Sequence, residues 1–336
     1  MKILLVRLGG LGDLIMLTPT IRALKKQYKT AKIDLLVSEK NADLLKGNKH
    51  LDKIIIARGF DKSTRDYKQI LNTLNAIRSN QYGLIFNFHN TYLMNILLSL
   101  CGSKTIGFNT NGGFLNNIQV DYTKLIKVHN AKRYASLANA VGAKVNKWQY
   151  ELFVNNESKS NVRKWLKKNR CLNHKLIGIV PGGSGISQIH LQRRLPIKEW
   201  KRLIKIFKEK EPNTRLIIIG DSGDLQLSKE LNGINVLNSC GLFNLNETCA
   251  LIQQLDCLIS NDTGPMHIGA ALTKVVALFM VSTPEITGPL PKTKHRVLWN
   301  NKAADLITTD GFIQPNSKMS ISAEEIYREV KAVLND

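Results

Sequence analysis

Four short stretches carry residues whose types and spacing could do chemistry. The first is Gly9-Gly10-Leu11-Gly12-Asp13, a glycine-rich turn that ends on a carboxylate. Gly10 and Gly12 permit close backbone approach, and a helix after the turn offers amides to an anion. Asp13 has two readings. It can complement the positive end of that helix as a cap, or act as a general base, since glycines leave an incoming hydroxyl unobstructed. The second stretch is Ser260-Asn-Asp-Thr-Gly-Pro-Met-His267. Thr263 or Gly264 can cap a helix whose first turn suits Pro265. The amides there, with the Thr263 hydroxyl, can cradle a phosphate, and Asp262 and His267 add polar groups for a nucleotide or sugar. Plain capping with a structural His267 is the simpler reading. The third is Pro181-Gly-Gly-Ser-Gly185 with Gln192-Arg193-Arg194-Leu-Pro196. Paired arginines before a helix can neutralise a diphosphate bidentately, or decorate a solvated turn. In the fourth, Gly220-Asp221-Ser-Gly-Asp224, the Asp224 carboxylate can bind ribose hydroxyls or serve as a cap.

These stretches need strands to hold them, and the chain supplies strands in series. Lys2–Val6 (KILLV), Lys32–Val37, Lys53–Ala57 and Gly83–Phe88 are apolar runs of strand length, and Leu14, Leu17, Ile21 and Leu24 give a helix from about Leu14 to Tyr28. The pattern restarts after the polar stretch Asn155–Ser160 and a basic helix around Val162–Asn169. Leu176–Val180, Arg215–Ile219, a short strand at Asn235–Leu237, Cys257–Ser260 and Val275–Phe279 follow, and Ser322-Ala-Glu-Glu325 is a capping box opening a last helix. Strands alternating with helices mean βαβ units and parallel sheets. The fold class is therefore α/β, two doubly wound Rossmann-like halves joined near residues 150–165. Ligands of open parallel sheets bind outside the carboxyl ends of the strands, so a cleft between two such halves is the expected site.

Composition narrows the classes. The 336 residues, 43% hydrophobic and 22% charged, suit two domains with ample cores. Five scattered cysteines without CxxC or nearby histidine spacing read as reduced, buried thiols. No signal peptide or bilayer-length apolar run is visible, so the chain is expected to be neither secreted nor membrane-spanning. Net charge is +22, and residues 1–150 hold 23 Lys/Arg against 8 Asp/Glu, a net of +15. Such a surface favours polyanions: nucleic acid, phosphorylated lipid or an anionic leaflet; a set of merely solvated lysines is the plain alternative. A dinucleotide fingerprint would place a small residue at Ile15, so an NAD-dependent oxidoreductase is disfavoured. No zinc pattern, RNP-like strand or aromatic-interleaved basic stretch supports a specific nucleic-acid binder.

In order along nearly the whole chain, these stretches resemble the ADP-heptose:lipopolysaccharide heptosyltransferases, glycosyltransferase family 9. The resemblance rests on Gly12-Asp13-Leu14-Ile15 with Thr18-Pro19, on Tyr82–His89 with Thr105–Phe108, and on His129-Asn-Ala-Lys-Arg133-Tyr134. It continues through Arg193-Arg-Leu-Pro-Ile-Lys-Glu-Trp200, Asn261–His267, Thr283-Pro284 and Thr287-Gly-Pro289. Leu195 departs from the family's tryptophan, and Arg193 stands where the family usually has a lysine. The resemblance implies a GT-B fold, with an acceptor-binding domain at 1–155 and a nucleotide-sugar domain at 156–336. It implies Asp13 as catalytic base, a donor site of Arg193, Arg194, Asp224, Asp262, Thr263, Gly264 and His267, and a glycine loop at Gly10 and Gly12. The implied reaction is inverting, needs no metal or cofactor, and moves a heptose from ADP-heptose to a lipid-linked phosphorylated Kdo core. Its implied setting is the cytoplasmic face of a bacterial inner membrane. Another nucleotide sugar or acceptor is the alternative within the class.

Overall fold

Strands buried on both faces should read as unbroken apolar runs, and that is how these sheets are built. The computed structural model describes residues 1–61, 64–183, 193–231, 233, 236–299 and 321–335. The chain divides into two units, Met1–Phe153 and Val154–Asp336. In the first, β1 (Lys2–Val6), β2 (Lys32–Ser38), β3 (Lys53–Ala57), β4 (Leu84–Asn87), β5 (Lys104–Phe108) and β6 (Ile118–Val120) form one sheet. Its order is β3-β2-β1-β4-β5-β6, and every pairing is parallel, with Leu5 opposite Leu35 and Phe86.

The second unit repeats the plan. Its strands are β7 (Lys175–Val180), β8 (Thr214–Ile218), β9 (Val236–Asn238), β10 (Cys257–Asn261), β11 (Val275–Phe279) and β12 (Arg296–Trp299). They run parallel in the order β12-β11-β10-β7-β8-β9. Numbered within each unit, both sheets read 3-2-1-4-5-6, the doubly wound order whose strand direction of travel reverses beside the first strand. That switch point lies between β1 and β4 in one unit and between β7 and β10 in the other. The loops after β1, β7 and β10 carry three of the four chemistry-bearing stretches, and Gly220–Asp224 follows the neighbouring β8.

Helices close both faces. In the first unit α1 (Leu11–Gln27), α2 (Tyr67–Ser79), α3 (Tyr92–Ser99) and α4 (Asn130–Asn139) do so. In the second, the Ile197–Lys210 helix buries Trp200, Leu203 and Phe207, and the terminal Ala323–Asn335 helix adds Ile326, Val330 and Val333 to the same cluster. Each large side chain so buried contributes about 1.5–3 kcal/mol. The Ser322 capping box forms as its sequence predicts: Ser322 N–H donates to Glu325 Oε2 (2.8 Å), and Glu325 N–H to Ser322 Oγ (3.3 Å).

Several boundaries move. The helix expected from Leu14 begins at Leu11, because Gly10 is its N-cap and accepts from Leu14 N–H at 3.3 Å. The polar stretch Asn155–Ser160, read as a joint, is mostly helical: Asn155 caps α5 (Asn156–Lys168) by accepting from Ser158 N–H at 2.7 Å. β12 lies beyond the last strand expected. It is an edge strand with a three-residue apolar part, Val297–Trp299, and none of its side chains is fully buried. Ser184, Gly185, Gln192 and Asn235 fall outside the described residues.

Candidate active site

The first cluster forms at the carboxyl end of β1. Asp13 sits in the first turn of α1, and its carboxylate reaches partners from elsewhere in the fold. Oδ2 pairs with Arg7 Nη2 at 2.6 Å, and Oδ1 accepts from the Tyr134 hydroxyl at 2.6 Å. Arg7 also donates to Phe88 O (2.8 Å) and lies over the Tyr134 ring, 5.4 Å from its centroid. Burial would lower the Arg7 pKa, but Asp13 beside it holds it above the ordinary arginine value. Burial and the adjacent Asp13 together push the Tyr134 hydroxyl well up. Both partners thus stay protonated and donate to the carboxylate, while 23% of the Asp13 side-chain surface remains open.

Three flanking features explain sequence signals whose purpose the spacing alone does not reveal. A Cβ on Gly9 would come within 2.8 Å of both Arg7 Nη2 and Asp13 Oδ2, so Gly9 makes room for the pair. Gly10, singled out for close approach, has ordinary extended backbone and nothing within 4 Å of a built Cβ. Gly12 lies inside the first helical turn. In the pair Thr18-Pro19, the proline cannot donate to Ile15 O, and Thr18 Oγ1 takes that carbonyl instead at 2.7 Å. The segment His129–Tyr134 divides its labour: His129 caps α4 through Nδ1 (3.1 Å from Ala131 N), Arg133 clamps the carbonyls of Leu125 and Ile126, and Tyr134 reaches Asp13.

The second cluster gathers at the carboxyl ends of β7, β8 and β10. Asn261, fully buried, donates from Nδ2 towards Val180 O, Pro181 O and Gly182 O (3.1–3.2 Å), and its Oδ1 accepts from Leu195 N–H at 3.2 Å. One amide thereby ties the end of β10 to both ends of the connection after β7. Asp262 accepts from Ser282 Oγ (2.6 Å) and Thr287 Oγ1 (3.3 Å), with Arg193 Nη1 3.7 Å from its carboxylate and 3.3 Å from its carbonyl oxygen. Thr263 is the N-cap of the Gly264–Leu272 helix, with Pro265 in the first turn, and its side chain makes no capping bond. The positive end of that helix is therefore closed by no side-chain cap. His267 lies buried one turn further in, beneath the loop.

Asp224 takes the capping role. It completes a capping box with Asp221, is only 6% exposed, and lies against glycines: a Cβ on Gly182 would fall 1.9 Å from Oδ1, and one on Gly220 2.7 Å from Oδ2. Desolvation, then Asp221, raises its pKa above the usual aspartate value, and Arg194 works against this from 3.7 Å. Arg194 also donates to Gly183 O at 3.0 Å. All the expected donor residues thus meet in one place, each arginine beside one aspartate. Arg7, Tyr134 and Asn261 are the residues that site reasoning from sequence misses. Arg7 had a signal, a charge directly after a buried strand; Tyr134 lay in a segment known only by resemblance. The five cysteines are unpaired with one another and buried. Among the described residues no group of three or more His, Cys, Asp or Glu is placed to hold a metal, and no helix is long and apolar enough to cross a membrane.

Two doubly wound units with polar loops at both switch points define the GT-B class of glycosyltransferase folds. The model of glycosyltransferase family 9 (heptosyltransferase) matches residues 70–310, and the chain belongs to that family. Lipopolysaccharide heptosyltransferase 1 of Campylobacter coli is 23% identical, with all of both chains covered. Among solved structures, a family 9 glycosyl transferase from Veillonella parvula superposes with a TM-score of 0.84 at 18% identity, covering 99% of this chain and 97% of that one. E. coli ADP-heptose lps heptosyltransferase II gives 0.79 at 22% identity, covering 100% and 99%.

Proposed function

We propose that this glycosyltransferase moves a heptosyl group from ADP-heptose to a lipid-linked, phosphorylated inner-core acceptor of lipopolysaccharide, inverting the anomeric centre. The observation that carries the reading is the second cluster: two arginines, the Asp262 loop and an N-terminal helix end converge at one switch point. Such a group of donors suits a diphosphate, which gains charge as it leaves. Arg193, Arg194 and the amides after Thr263 neutralise that charge, without a metal ion. Asp262 and Thr263, with His267 buried behind them, shape the donor pocket, and Asp224 serves it from beside Arg194 and Gly182. In the first unit, Asp13 removes the proton from the acceptor hydroxyl as its oxygen attacks the anomeric carbon. The bond to the diphosphate breaks in the same step, and ADP departs. The relatives named above support heptose as the sugar and lipopolysaccharide as the acceptor class. The net +15 of residues 1–150 suits an acceptor on the anionic inner face of a membrane.

The test is thermal stability against ADP, UDP, GDP, CMP and NAD. Ligand at a hundredfold excess over its Kd stabilises by about 2.7 kcal/mol, a rise of several degrees for a chain of this size. ADP should give the largest rise, and Asp262→Ala or Arg193→Ala should remove it. A rise with UDP or GDP instead would replace the donor; a rise with NAD alone would overturn the transferase reading.

A further inference from the structure

Between Asp66 and Asp121 the chain contains no acidic residue, whereas Lys68, Arg78 and Lys104 are present. Of the eleven large hydrophobic side chains exposed among the described residues, six lie in this acid-free segment: Tyr67, Leu71, Tyr92, Ile96, Leu100 and Phe114. Their spacing is not random. Tyr67 and Leu71 are one turn apart on α2, and Tyr92, Ile96 and Leu100 recur every fourth residue along α3 and its C-cap. Both helices pack inward on one core through Leu74, Ile77, Met94 and Leu98, so they cover the same face of the sheet. Phe114, 73% exposed, stands on the short turn after β5. Its neighbour Gly112 packs beside the Tyr92 ring, which a Cβ there would meet at 3.3 Å.

From this we infer that α2, α3 and the Gly113–Leu115 turn form the surface by which the chain sits on an anionic lipid bilayer. Apolar and aromatic side chains would enter the headgroup boundary, and the absence of carboxylates removes repulsion from acidic lipids. A water-facing surface has no use for exposed Ile and Leu recurring along one helix with an exposed Phe on the turn beside it. The placement also serves transfer, for Tyr92 and Phe114 follow the carboxyl ends of β4 and β5, the same end of the sheet as Asp13. A lipid-linked acceptor would then present its sugar at the edge where the base waits. This inference rests on the lipid-acceptor reading proposed above.

The experiment is co-sedimentation of the full chain with vesicles of phosphatidylcholine containing about one-quarter phosphatidylglycerol. Ile96→Ser, Leu100→Ser and Phe114→Ser combined should lower partitioning on the order of tenfold per side chain, with an unchanged thermal midpoint. Leu172→Ser with Leu242→Ser, exposed in the second unit, should bind as wild type. Wild-type chain that ignores the vesicles, or a triple variant that binds equally, overturns the proposal. So does a triple variant that differs only in losing self-association, since a second copy then covers the face. The vesicles carry neither donor nor acceptor, so binding is read without turnover. The transfer reading fails by a separate route, if ADP-heptose gives no product with a lipid-free acceptor.

Discussion

At the scale of single residues, Asp13 is poised by two donors rather than one. Arg7 and Tyr134 approach different carboxylate oxygens and fix its plane. Losing a general base typically costs 10²–10⁴-fold in rate, so in the role proposed for Asp13, Asp13→Asn should lower turnover by that factor and leave ADP binding intact. Tyr134→Phe removes one hydrogen bond to a charged group, worth about 1.5–3 kcal/mol. Turnover should fall about ten- to a hundredfold, with little change in the donor KM. A Tyr134→Phe enzyme with wild-type kcat would show that the hydroxyl does not position Asp13. Asp13 itself was legible in sequence because a carboxylate among glycines is unusual. Its partners were not, because they are 6 and 121 positions away and only the fold brings them together.

At the scale of elements, the loops depend on a few buried amides and on glycines without substitutes. Asn261 ties the ends of β7 and β10 to Leu195, and Asn261→Ala would remove both the Nδ2 donor those carbonyls share and the acceptor of Leu195 N–H. The expected loss is about 2–4 kcal/mol, read as a lowered thermal midpoint together with weaker ADP binding; an unchanged midpoint would contradict the role. A separate element responds to acid. His295, just before β12, is held by burial and then by Lys294 at a pKa of about 4, below the usual 6.5. Above pH 6.5 neither folded nor unfolded chain carries that proton. As pH falls through 6.5 the unfolded chain takes it up and the folded chain does not, so stability is lost down to about pH 4, by at most about 3 kcal/mol. His295→Leu should lose less stability than wild type between neutral pH and about pH 4.5; equal losses would rule the residue out. Most strands were legible because parallel strands are apolar throughout. β12 was not, because its apolar part is only Val297–Trp299 and none of those side chains is fully buried.

At the scale of the whole molecule, one plan is used twice. Each unit reverses its strand order beside its first strand, and each gathers charged side chains at the loops there. The sequence displayed this as a restart of strand and glycine-loop patterns after about residue 155. The joint itself was blurred, since a polar run such as Asn155–Ser160 reads equally as linker or as a capped helix start. The division of labour, acceptor chemistry on the first unit and donor phosphate on the second, is the central claim. It is tested most directly by mixing the chain with ADP-heptose and a heptose-deficient core acceptor, then measuring ADP release and acceptor mass together. The account predicts ADP and acceptor lengthened by one heptosyl residue in equal amounts. It further predicts that Asp13→Asn and Arg193→Ala each suppress both, only the second by weakening ADP binding. ADP release without a lengthened acceptor, or full turnover in Asp13→Asn, would contradict it.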